Sequence, residues 1–164
     1  MTRENKILAK AVVEECANQQ AMIATAESCT GGLISAALTD VSGSSAIFDR
    51  GFTTYSNQAK EELLGVSKSL LEKYGAVSAE VAEAMAIGAL KRSLATVTVS
   101  VTGIAGPSGG TAEKPVGLVW FGLADQSNVH VEQKVFADKD RDAVRQATVH
   151  HALTLILANL TQNS

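Results

Sequence analysis

Apolar positions mark out the elements of this chain before any chemistry is considered. Over residues 4–19, Ile7, Leu8, Ala11, Val12 and Cys16 recur at helical spacing and predict a helix. The short apolar run Met22-Ile23-Ala24 predicts a first strand over 21–26. Leu33, Ile34, Ala37 and Leu38 then resume the helical period to about Asp40. Val41-Ser42-Gly43-Ser44-Ser45 reads as a loop, and a second strand over 46–55 carries Ile47, Phe48, Phe52 and Tyr55. Asn57 is placed to cap a helix that runs through Leu64 and stops at Gly65, followed by a short helical turn at 67–74. Residues 79–93 form an alanine-rich helix whose small side chains suit close packing on a sheet. Strand three, 96–102, alternates Val97, Val99 and Val101 with Thr98, Ser100 and Thr102. A long glycine-rich loop over 103–115 leads to strands four (116–123) and five (129–136). Asp140 then caps a final helix to about Leu160.

The order of these elements constrains the sheet. Helical crossovers join strand one to two and two to three, so these run parallel. No helix separates strands three, four and five, so strand four runs antiparallel to its neighbours. The fold class is therefore α/β, with a mixed, mostly parallel five-stranded sheet and one antiparallel strand. The carboxyl ends of strands one, two, three and five share one edge, where open α/β sheets bind ligands. The segments placed there are Ser28–Gly32, Tyr55–Lys60, Thr102–Gly110 and Asp140–Arg145.

The first of them, within Thr25-Ala26-Glu27-Ser28-Cys29-Thr30-Gly31-Gly32, is a turn from a buried strand into a helix. Such a turn leaves backbone N–H groups without partners at the positive end of the helix dipole, suited to an anion or a developing oxyanion. Gly31 and Gly32 allow close backbone approach. Ser28 sits at the mouth as a candidate nucleophile; the alternative is that Ser28 or Thr30 caps the helix. Cys29 is a rival nucleophile, since a helix N-terminus can lower a thiol pKa. Lys60 falls in the first turn of its helix, where the dipole and partial burial both push an ammonium towards neutrality and towards general-base work. A solvated surface lysine is the alternative. Tyr55 and Thr102 can hydrogen-bond a ligand. Arg141 and Arg145, one helical turn apart, can share a phosphate.

Composition narrows the classes. The chain has 164 residues, formal net charge −3 and no block of lysine and arginine, which fits one domain and argues against a nucleic-acid groove. No apolar run is long enough to span a bilayer. Two cysteines, Cys16 and Cys29, suit a reducing cytoplasm rather than a disulfide framework. Neither G-x-G-x-x-G nor a P-loop occurs, and no metal site has ligand-like spacing. His130, His150 and His151 all fall away from the active edge, which disfavours a Ser-His-Asp triad.

Four stretches together carry a resemblance: Thr25–Gly32, Tyr55-Ser56-Asn57-Gln58-Ala59-Lys60, Gly75-Ala76-Val77-Ser78, and Gly103–Gly110 with Lys114-Pro115-Val116-Gly117. In them the chain resembles the CinA carboxy-terminal domain family in its standalone form, over roughly residues 4–160. The resemblance implies a single three-layer α/β/α domain over 1–164. It also implies hydrolysis of nicotinamide mononucleotide to nicotinic acid mononucleotide and ammonia, a step of pyridine nucleotide salvage. By position it makes Ser28 the nucleophile and Lys60 its base, and it requires no metal or organic cofactor. Backbone amides near Thr30 and Gly31, with Gly32 and Gly103 beside them, would hold the oxyanion and substrate. Tyr55, Thr102 and Arg145 would contact the nucleotide, with Arg141 joining them only through its spacing to Arg145. The expected partners are the small-molecule nucleotide and a second copy of the chain in a homo-oligomer, a dimer favoured, with strands four and five as a candidate dimer edge. Neither nucleic acid nor membrane is expected as a partner. The competing reading is a nucleotide-binding or interaction module without turnover, linked to competence or the DNA-damage response.

Overall fold

A computed structural model describes residues 1–162. Helix α1 (Arg3–Gln19) is capped by Thr2, whose hydroxyl accepts from the Asn5 amide. Strand β1 (Ile23–Glu27) leads into α2 (Leu33–Thr39). After a 3-10 turn at Ser44–Ala46 come β2 (Phe48–Thr53), α3 (Asn57–Leu64), α4 (Lys68–Tyr74) and α5 (Ala79–Lys91). The chain finishes with β3 (Val97–Gly103), β4 (Leu118–Asp125), β5 (Val129–Val135) and α6 (Arg141–Gln162).

The strands lie in the order β2-β1-β3-β4-β5. β1 is parallel to both β2 and β3, and β4 is antiparallel to both β3 and β5. This is the expected mixed sheet, covered on both faces. Helices α1, α2 and α6 pack one face over Val97, Val99, Val101 and Phe121, while α3, α4 and α5 pack the other over Ala26. Because β1 is flanked by β2 and β3 and covered on both faces, all five of its residues are buried, a charged one included.

Several local expectations are corrected. Ser56 rather than Asn57 caps α3: its hydroxyl accepts from the Ala59 amide at 3.0 Å. Lys60 is therefore one position deeper in the helix, where its own N–H already bonds Ser56 O. The short helical stretch expected over 67–74 is present as α4, and Ser67 caps it in the same way. Strand β4 lies inside the sheet, so β5 alone is the open edge on that side, with Val129 and Val135 exposed.

The polar row of β3 faces protein rather than water. Thr98, Ser100 and Thr102 donate to the carbonyls of Ala86, Ala82 and Ala76 at 2.8, 2.6 and 2.8 Å. These hydroxyls let α5 lie close on the sheet without leaving polar groups unpaired. Gly88 completes that approach on the other side of α5, where a Cβ would stand 2.2 Å from the Leu64 carbonyl oxygen at the end of α3. Gly88→Ala should therefore push α5 away from the helix that carries Lys60. The expected loss is about 2 kcal/mol, or roughly 5 °C in melting midpoint, read by thermal unfolding. An unchanged midpoint would show that the two helices are not held at this separation. Among the described residues no helix is long and apolar enough to cross a membrane.

Candidate active site

Four loops meet at the carboxyl edge of the sheet around a cavity of about 240 Å³. Ser28 and Cys29 follow β1, Tyr55 follows β2, Thr102 and Gly103 end β3, and Arg141 opens α6; all line it, with Lys60. Ala76, Val77 and Ala105 supply apolar wall. The first two lie in the Gly75–Ser78 stretch, whose residue types gave no chemical hint, and an apolar wall carries no sequence signal of its own.

Ser28 and Lys60 meet at the foot of this cavity. Lys60 is 1% exposed, and its Nζ lies 3.2 Å from Ser28 Oγ and 2.9 Å from the Thr54 carbonyl oxygen. Among the described residues no carboxylate pairs with it. Burial pushes its pKa below the ordinary lysine value, against a smaller opposing pull from Cys29. The cause is desolvation, not the first-turn dipole position expected from an Asn57 cap. A neutral Nζ has two N–H groups and one lone pair. With one N–H donated to Thr54 O, the lone pair is free to accept the Ser28 hydroxyl.

Cys29 differs from its neighbour. It is 5% exposed, and burial pushes its thiol up to about 12, so at neutral pH it is not a thiolate. The rival thiol nucleophile loses its footing here.

The turn itself departs from the expectation of free helix amides. Glu27, fully buried, places its carboxylate beneath the first turn of α2. Oε2 accepts from Thr30 Oγ1 at 2.7 Å, the Gly32 amide at 3.1 Å and the Ile34 amide at 2.9 Å. Oε1 accepts from the Ser35 amide at 2.8 Å and from Ser35 Oγ at 2.7 Å, with Thr25 Oγ1 at 3.3 Å. The helix end thus has its anion already, supplied by the chain. The Gly31 amide donates to Ser28 O at 3.0 Å and is likewise occupied. Among the described residues, the Cys29 and Thr30 amides donate to no backbone carbonyl, and the Cys29 N–H lies against its own thiol. Gly31 and Gly32, at φ +61° and +100°, supply the left-handed backbone that bends the chain from β1 into α2. The signal for Glu27 was present in the sequence: a carboxylate ends a run that must be buried, with Thr25, Thr30 and Ser35 nearby as donors.

The two arginines do not converge. Arg141 donates to Gly106 O at 2.9 Å and to Tyr55 Oη at 3.0 Å across the mouth of the cavity. Arg145 turns beneath the Ser28 turn, donating to Cys29 O at 3.2 Å and Thr30 O at 2.8 Å, and does not line the cavity. The Thr30 side chain, fully buried, points to Glu27. Thr102 keeps acceptor capacity towards the cavity while donating to Ala76 O. None of the three histidines lines the cavity; His130 and His151 both contact Glu132 on β5 and α6, and His150 bonds Asn5. Among the described residues no cluster of side chains fits a metal ion.

Comparison with known proteins points the same way. The sequence model described as the CinA C-terminal domain matches residues 5–160. A protein named nicotinamide-nucleotide amidohydrolase PncC from Enterobacter agglomerans is 55% identical over 141 residues, covering 86% of this chain and 86% of that protein. The protein of the same name from Escherichia coli K12 is 48% identical over 144 residues, covering 88% and 87%. The crystal structure of the competence/damage inducible protein CihA from Agrobacterium tumefaciens matches with a TM-score of 0.95 at 47% identity, covering 98% of both chains.

Proposed function

This chain belongs to the CinA C-terminal domain family, and on that footing we propose that it hydrolyses the carboxamide of nicotinamide mononucleotide to nicotinic acid mononucleotide and ammonia. Relatives of the same length carry the name of that amidohydrolase. The reading of this chain rests above all on one observation, a desolvated lysine amine 3.2 Å from a serine hydroxyl at the foot of a cavity.

In the proposed reaction, neutral Lys60 takes the proton of Ser28 as Oγ bonds to the carboxamide carbon. The negative charge on the carbonyl oxygen is met by the Cys29 and Thr30 amides, which donate to no backbone carbonyl. Lys60, now an ammonium still held by Thr54 O, returns the proton to the amide nitrogen. The C–N bond breaks and ammonia leaves. Water then gives a proton to Lys60 and adds to the ester; the acid departs as Ser28 Oγ is reprotonated. The balance is one amide and one water for one acid and one ammonia. The apolar wall of Ala76, Val77 and Ala105 suits the pyridinium ring, with Thr102 beside the carboxamide. Arg141, at the mouth with Tyr55, is placed for the ribose phosphate. Arg145 braces the turn and supports the substrate indirectly.

Ammonia release from nicotinamide mononucleotide by the purified chain tests the reading. Release in parallel with nicotinic acid mononucleotide supports it. A folded protein that retains the nucleotide without releasing ammonia would make it a binding module instead.

A further inference from the structure

We infer that Glu27 is a positioning residue that holds both members of the Ser28–Lys60 pair through the two ends of one amino acid; the inference rests on the amidase reading above. Its carboxylate lies beneath the turn that carries Ser28 and binds the Gly32, Ile34 and Ser35 amides together with the Thr30 and Ser35 hydroxyls. Its main-chain carbonyl accepts from the Thr54 amide at 2.8 Å, and the Thr54 carbonyl in turn holds Lys60 Nζ at 2.9 Å. One residue therefore spans from the helix behind the nucleophile to the carbonyl that orients the base.

The arrangement also explains why, among the described residues, only the Cys29 and Thr30 amides of the turn donate to neither a backbone carbonyl nor Glu27. A helix start left open would draw solvent anions or compete for the substrate phosphate. Glu27 fills that position from within the protein, and Arg145 holds the Cys29 and Thr30 carbonyls. The Ser28 turn is fixed between an internal anion below α2 and a guanidinium on its carbonyls. The Cys29 and Thr30 amides are thereby held ready for a developing oxyanion. Each carboxylate oxygen accepts from at least one backbone N–H, which cannot turn to accept, so an amide in this position must set its NH₂ against an N–H whichever way it is turned.

Glu27→Gln and Thr30→Val, compared with the parent and Ser28→Ala, test this in the full-length chain. Two quantities are read: the rate at which a serine-reactive fluorophosphonate labels Ser28, by mass spectrometry, and kcat and KM for nicotinamide mononucleotide. Glu27→Gln is expected to unfold cooperatively, with labelling and kcat lower by about 100-fold and KM within about threefold of the parent, because the carboxylate lies outside the cavity. Thr30→Val removes one donor at nearly constant shape, and its kcat is expected to fall about tenfold with KM unchanged. Labelling and kcat within about threefold of the parent in Glu27→Gln would overturn the inference, as would a loss no larger than the unfolded fraction. If Glu27→Gln does not fold, Thr30→Val decides, and parental labelling there overturns it. A parent that is labelled at Ser28 but releases no ammonia refutes the amidase reading alone. A parent that does neither overturns both.

Discussion

Ser28→Ala is expected to lower ammonia release from nicotinamide mononucleotide by at least about 10⁴-fold while leaving the fold and its melting midpoint essentially unchanged. The size follows from the position of Oγ, the nucleophilic atom nearest the desolvated amine at the foot of the cavity. The intact fold follows from what the side chain does not do. The Ser28 amide donates to Val101 O and its carbonyl accepts from the Gly31 amide, and neither bond involves Oγ. Removing the hydroxyl costs Lys60 one partner and leaves Thr54 O in place. Kinetics paired with thermal unfolding check both halves. Turnover near the parental rate would move the chemistry elsewhere, and the buried thiol of Cys29, pushed up to about 12, would be a poor substitute.

Lys60→Met should remove about 10³-fold in kcat, the range of a positioned general base, and should change how stability depends on pH. Methionine matches the unbranched shape and removes a group that burial disfavours in its charged form. The Thr54 carbonyl loses its donor, which costs about 1 kcal/mol and opposes the gain. The sign of the pH dependence is set by proton counts. The folded-state pKa of Lys60 lies below its unfolded value. Between the two, the unfolded chain carries a proton that the folded chain lacks, so parental stability rises with pH across that window. Below it both states are protonated and the difference from Lys60→Met is constant; above about pH 10.4 both are neutral and the burial penalty is gone. The advantage of Lys60→Met should thus be largest at low pH and shrink as pH rises, measured by denaturant unfolding at a series of pH values. The parental kcat/KM should rise over the lower part of the same window as the amine loses its proton. A difference in stability that does not vary with pH, together with a flat rate profile, would show that Lys60 keeps its ordinary pKa and is no base.

Much of the architecture was legible from periodicity alone. The helix over residues 4–19, the alternating valines of β3 and the crossover count were enough to set the strand directions and to bring Ser28, Tyr55, Lys60, Thr102 and Arg141 to one edge, while the insertion of β1 between β2 and β3 came only with the structure. These are local or topological properties. An apolar period says which face of an element must be buried, and chain connectivity says which way a strand runs, so neither needs coordinates. Even the approach of Ser28 and Lys60, 32 residues apart, was foreseeable, because the turn after β1 and the first part of α3 both fall on that edge.

Tertiary structure decided which polar atoms meet. That Arg145 reaches the carbonyls of Cys29 and Thr30, 116 and 115 residues away, while Arg141 one turn earlier reaches Tyr55, depends on the angle at which α6 crosses the turn. That the helix amides behind Ser28 serve Glu27 and not a ligand depends on the depth at which β1 lies between two helical layers. The burial that lowers Lys60 and raises Cys29 comes from both layers together. Hydrogen bonds act over about 3 Å and desolvation over the few shells around a group. Both are therefore set by the packing of elements distant in sequence, whereas the elements themselves are set by residues close along the chain.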